Sequence, residues 1–141
     1  MGLTAFIVED NHVIRHNLVA ALEELVPMQV VGSAADEAGA MRWLDAPSAK
    51  CDVIIIDLFL HTGSGLGVLK ALQSRNLAVH PVVLSNYATP EMRRRCLAMG
   101  AERVFDKSSE IDELVAYCAA LPHLPEQATP TPTPTPKNIT E

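Results

Sequence analysis

Residues Val53 to Ile56 form an unbroken β-branched run closed by a carboxylate, Asp57, and no other segment constrains the fold as much. A strand that is apolar at every position must be covered on both faces, as strands are inside a parallel sheet flanked by helices. Strand-like runs occur at 3–8, 28–32, 52–56, 80–84 and 103–105. Between and after them, apolar residues keep helical spacing: Ile14, Leu18, Leu22 and Leu25, then Met41 and Leu44, then Leu66, Leu69 and Leu72. Met92, Cys96 and Met99 follow, and Ile111, Leu114, Cys118 and Leu121 close the series. Asn11 reads as the N-cap of the first helix, Thr89-Pro90 as a cap followed by a first-turn proline, and Gly100 as the residue that ends the fourth helix. This alternation predicts an α/β domain with a doubly wound, five-stranded parallel sheet. The weaker run at 28–32 is expected at a sheet edge.

In such sheets, ligands bind beyond the carboxyl ends of the strands. Chemistry-bearing residues gather there: Glu9 and Asp10 after Ala5–Val8, Asp57 after Ile56, Ser85 after Leu84, and Lys107 just past Phe105. With strand order 2-1-3-4-5 the first and third strands are neighbours, so the three acids meet. Carboxylates this close repel unless a cation lies among them, and Mg²⁺, a hard ion with oxygen ligands, suits the set. Glu9 and Asp10 alone would serve equally well as acids favoured at a helix N-terminus. Together with Asp57 and Lys107 they fit metal-assisted phosphoryl transfer onto an aspartate.

The remaining residues set bounds. A chain of 141 residues makes one domain with a core of its own. The net charge of −6 argues against binding a phosphate backbone as the main task. No apolar run approaches the ~18 residues of a membrane helix, and Met1 to Phe6 lack the basic flank of a signal peptide. A cytoplasmic location is expected, with no direct contact to nucleic acid or membrane. Cys51, Cys96 and Cys118 form no CxxC pair and read as reduced, partly buried thiols. His12, His16, His80 and His123 lack metal-ligand spacing and read as surface or packing residues, and Trp43 as half-buried packing. Arg93, Arg94 and Arg95 read first as a solvated face, with an acidic-partner site as the sharper alternative. Asn11-His12-Val13 cannot cradle a pyrophosphate as a glycine-rich loop does. Nor does Asp57-Leu58-Phe59 give the Asp-x-Asp of a haloacid-dehalogenase-like phosphatase. The expected domain is 1–121. From Pro122 the composition shifts, with a strict Thr-Pro repeat from Thr129 to Pro136, so 122–141 is expected to be a disordered tail or a linker.

Residues 3–121 resemble the receiver domain of bacterial two-component response regulators. The resemblance is carried by Val8-Glu9-Asp10-Asn11, Ile56-Asp57-Leu58-Phe59-Leu60 with Gly65, Leu84-Ser85-Asn86, and Gly100-Ala101 leading to Asp106-Lys107. It implies a flavodoxin-like (βα)5 fold with Asp57 as phosphoacceptor, charged by a sensor histidine kinase or a histidine phosphotransfer protein. It also implies Mg²⁺ held by Glu9, Asp10, Asp57 and the backbone carbonyl of Phe59, with Ser85 and Lys107 contacting the phosphoryl oxygens. Such a domain catalyses its own phosphorylation and dephosphorylation, with no separate substrate turnover expected. Its output would pass through the face made by the fourth helix, fifth strand and fifth helix.

Four positions depart from that pattern. Val104 stands where the family carries an aromatic residue that fills the space Ser85 vacates, and Phe105 lies one step later on the opposite sheet face, so Tyr87 is an alternative reporter. His61 stands where proline is common. Ser108 replaces a frequent proline after Lys107, which leaves the isomer of that peptide bond open. Asn86 is larger than the usual alanine or glycine and is expected to narrow access to the phosphoryl group. Phe59 and Tyr87, two residues beyond Asp57 and Ser85, are expected to flank that group and slow its hydrolysis. With no output domain recognisable after residue 121, a single-domain regulator acting by protein contact is expected. A pseudo-receiver binding partners without phosphate, or the front of a longer DNA-binding regulator, are the alternatives.

Overall fold

The computed structural model describes residues 3–46, 51–75 and 78–121. Five strands, β1 (Leu3–Val8), β2 (Met28–Ala34), β3 (Val53–Asp57), β4 (His80–Ser85) and β5 (Arg103–Asp106), alternate with five helices. These are α1 (His12–Leu25), α2 (Glu37–Asp45), α3 (Gly65–Arg75), α4 (Pro90–Ala98) and α5 (Ile111–Ala120). All strand pairs are parallel and the order is β2-β1-β3-β4-β5, as expected, with β2 at an edge. The strands run further than their apolar runs suggest. Asp57, Ser85 and Asp106 are the last residues of β3, β4 and β5, and the ladder pairs Asp57 with Leu84 and Ser85 with Asp106.

Side-chain alternation along the strands divides the core in two. Ala5, Ile7, Val53, Ile55, Val82, Leu84 and Phe105 pack against Leu18 and Leu22 of α1 and Leu114 and Cys118 of α5. Phe6, Val8, Ile54, Ile56, Val83 and Val104 pack against Ala40 of α2, Val68, Leu69 and Leu72 of α3, and Cys96 of α4. Val104 and Phe105 therefore do lie on opposite faces. Trp43 is half-buried and stacks on Phe6, with ring centroids 4.0 Å apart. Asn11 caps α1 by accepting from the Val13 and Ile14 amides, and Thr89 caps α4 by accepting from Met92 ahead of Pro90. Gly100 follows α4 with φ +104, a left-handed conformation that disfavours any side chain.

The cysteines are free. Burial raises the Cys51 thiol to about 12 and the Cys118 thiol to about 11, which keeps both protonated and inert. The arginine run divides, against its reading as one solvated face. Arg94 and Arg95 are exposed, whereas the Arg93 guanidinium folds back onto Ala88, Val104 and Glu110. His80 is a packing residue, its Nδ1 2.8 Å from Glu102. Every peptide bond among the described residues is trans, Lys107–Ser108 included. Among them no helix is long and apolar enough to cross a membrane. His123 and the expected tail at 122–141 lie outside the described residues.

Candidate functional site

The carboxyl ends of β1, β3, β4 and β5 bring the predicted residues to one corner. β1 gives way to Glu9 and Asp10, and the Glu9 backbone is pinned on both sides: its amide donates to Ala34 O at 2.9 Å, and Arg15 Nη1 donates to its carbonyl at 2.7 Å. Glu9, Asp10 and Asp57 each present an oxygen, and these oxygens all lie within 4.8 Å of one another. Lys107 reaches in from the end of β5. Its ammonium is 2.9 Å from Asp57 Oδ2 and 2.7 Å from Glu9 Oε1.

Ionisation at this corner is governed by burial and by that lysine. Glu9 is 1% exposed, and desolvation raises its pKa above the usual carboxylate range despite the Lys107 contact. Burial alone would depress Lys107, but the two carboxylates outweigh it and raise its pKa, so it remains an ammonium. Asp10 is less buried. Its desolvation is outweighed only jointly, by donation from the His61 amide, the contact with Glu9 and the nearby His61 ring, which together hold its pKa low.

The donor set fits a hard divalent cation. Three carboxylates face a single ammonium. Glu9 Oε2 accepts from the Asn11 amide at 3.1 Å, while the buried Glu9 Oε1 has Lys107 beside it but no donor aligned for a hydrogen bond. A 2+ ion among these oxygens would remove the residual repulsion without needing further donors.

The supporting loops show why the corner holds its shape. The Phe59 amide donates to Asp57 Oδ1 at 3.2 Å, and the Tyr87 amide donates to Ser85 Oγ at 3.0 Å. These two equivalent turns place Phe59 and Tyr87 alike, and their rings meet edge to face at 5.1 Å. Both are more than half exposed, so Tyr87 points outward and does not fill the space beside Val104. Asn86 is exposed and Ser85 is fully buried. Gly65 opens α3 against the Asp57 backbone: a Cβ there would sit 2.3 Å from Asp57 O.

Two contributors were not identifiable from sequence roles. The Asp10 carboxylate is held from the β3–α3 loop by His61, whose amide and ring Nδ1 both lie 2.8 Å from Asp10 Oδ2. Proline at this position would supply neither donor, and that substitution pattern was the one available signal. Glu37, at the start of α2, accepts from the Ser64 amide at 2.9 Å and so caps α3 from another helix. No spacing in the sequence announces a contact across 27 residues.

Comparison with known proteins agrees with this geometry. Residues 5–119 match the family described as the response regulator receiver domain. The chain is similar to the DNA-binding transcriptional activator DevR/DosR of Mycobacterium tuberculosis, with 32% identity over 68% of this chain and 43% of that protein. The transcriptional regulatory protein YvfU of Bacillus subtilis is 28% identical over 77% of this chain and 54% of its own length. The chain thus spans about half the length of these curated relatives. Among solved structures, the signal receiver domain of the response regulator NarL from Mycobacterium tuberculosis superposes with TM-score 0.73 at 27% identity, covering 84% of this chain and 96% of that one.

Proposed function

The chain belongs to the response regulator receiver domain family, and from that premise we propose that Asp57 is its phosphoacceptor in a two-component phosphorelay. The observation that carries this reading is the buried contact of Lys107 with both Asp57 and Glu9, beside Asp10 and Ser85 at the ends of adjacent strands. An oxygen of Asp57 attacks the phosphorus of a phosphohistidine on a partner kinase or phosphotransfer protein. The N–P bond breaks, an acyl phosphate forms, and the departing imidazole takes up a proton. Lys107 keeps its positive charge throughout and offers it to one phosphoryl oxygen. Ser85, freed from the Tyr87 amide, donates its hydroxyl to another. Transfer of this kind depends on positioning and charge neutralisation more than on covalent machinery.

Glu9, Asp10, Asp57 and the Phe59 carbonyl would hold Mg²⁺. Bound there, it would supply positive charge to offset that on the transferring group and on the acids around it. The same corner holds the acyl phosphate after transfer. Phe59 and Tyr87 stand at its rim, where their rings exclude the water that would hydrolyse it. The domain acts in the cytoplasm as residues 1–121, and its output runs through the face of α4, β5 and α5 to a protein partner. A second reading is favoured by the nature of the curated relatives, transcriptional regulators about twice as long as the matched region. In it, the receiver controls a DNA-binding segment of a longer protein.

Beryllium fluoride with Mg²⁺ tests the site directly. The wild-type chain should give a bound ¹⁹F resonance that requires both components and disappears in Asp57→Ala. A wild type that shows no bound resonance would favour a pseudo-receiver acting without phosphate.

A further inference from the structure

Ser85 ends β4 and Lys107 directly follows the neighbouring β5, and the Lys107 amide donates to Ser85 O at 3.0 Å. Their loops are joined a second time, away from the sheet, by one side chain. Arg93 Nε donates to Ala88 O at 2.9 Å, Nη1 to Val104 O at 2.8 Å, and Nη2 to Glu110 Oε1 at 2.8 Å. That glutamate oxygen also accepts from the Asp106 amide at 2.8 Å, one residue before Lys107. At the other end, the Tyr87 amide holds Ser85 Oγ, one residue before Ala88. The contacts close a circuit that runs from Ser85 through the β4–α4 loop, Arg93, Glu110 and Asp106 to Lys107.

We propose that Arg93 is a positioning residue for phosphoryl transfer, setting the loop that carries Ser85 against the segment that carries Lys107, and the route by which displacement of Ser85 reaches the start of α5. The proposal rests on the receiver reading of the site. Turning the Ser85 hydroxyl toward a phosphoryl group releases the Tyr87 amide and shifts the segment bearing Ala88 O. Arg93 cannot follow that carbonyl without moving on Val104 O and Glu110, because its planar fork fixes the three bonds relative to one another. Lysine has one nitrogen and a flexible stem, so it cannot span all three acceptors in that geometry. The role falls to a residue that a plain reading of three consecutive arginines assigns to solvent.

The test is amide hydrogen exchange of the full chain with and without Mg²⁺ and beryllium fluoride, on wild type, Arg93→Ala, Arg93→Lys and Glu110→Gln. In the wild type, protection should change at Asn86–Ala88 and at Glu110–Leu114. Arg93→Ala and Arg93→Lys should keep the first response and lose most of the second. Glu110→Gln retains an acceptor oxygen and should transmit nearly as the wild type does. Phosphorylation by a small phosphodonor should slow by roughly tenfold in both arginine variants, within the range that misplacement remote from the reacting atoms produces. If Arg93→Ala fails to fold, Arg93→Lys carries the decision. An undiminished α5 response in the folded arginine variants overturns the proposal, even if their thermal stability falls. A wild type that responds nowhere overturns instead the receiver reading beneath it.

Discussion

At Glu9, burial and function pull in opposite directions. The carboxylate is desolvated with its pKa raised, so its ionised form weakens the metal-free fold at every pH above that raised value. Acidification through it relieves the penalty. Glu9→Gln should therefore raise the melting temperature without Mg²⁺ by roughly 2–6 °C, about 1 kcal/mol for a domain of this size. The same change should weaken Mg²⁺ binding seen by calorimetric titration, the trade expected where a site is kept strained for its ligand. A variant that gains no stability, or binds Mg²⁺ as well as wild type, contradicts this account of Glu9. The aromatic pair makes the second prediction at this scale. On the proposal that their rings keep water from the acyl phosphate, replacing Phe59 and Tyr87 both with serine should accelerate loss of phosphate from the phosphorylated chain by on the order of tenfold. An unchanged decay rate, followed by intact mass, would refute the steric role.

Among the elements, the segment joining β5 to α5 depends on one carboxylate. The Arg93 guanidinium, then the Asp106 amide, lower the pKa of Glu110 below its ordinary 4.5. A lowered carboxylate contributes stability that is complete above its unfolded value and vanishes as pH falls through the folded one. Acid unfolding from pH 5 downward should thus be shallower in Glu110→Gln than in wild type, as followed by circular dichroism. Equal slopes would mean that the pair contributes nothing. The elements themselves were legible in the sequence. An all-apolar 53–56 required a sheet covered on both faces, and Asn11, Thr89-Pro90 and Gly100 marked helix ends by chemistry that acts within a few residues. Contacts between elements were not legible. Arg93 and Glu110 are 17 residues apart and His61 and Asp10 are 51, and nothing local in either partner requires the other. Arg93 shares its chemistry with the exposed Arg94 and Arg95, and only the turn of α4 selects which one faces β5.

For the molecule as a whole, strand order turns a list of strand-end residues into a site. The 2-1-3-4-5 arrangement sets β1 beside β3 and β4 beside β5, so that Glu9 and Asp10 meet Asp57 while Ser85 stands near Lys107. The site's composition was readable because polar residues closing apolar strands are conspicuous. Its electrostatics were not, because they depend on the depth at which Glu9 and Lys107 meet. The central claim is that this corner makes Asp57 a phosphoryl acceptor. Its most direct test is incubation of the chain with a small phosphodonor and Mg²⁺, followed by intact mass. Wild type should gain a single base-labile phosphoryl group that depends on Mg²⁺, and Asp57→Ala should gain none. A wild type that gains nothing, or an Asp57→Ala variant modified to the same extent, would contradict it.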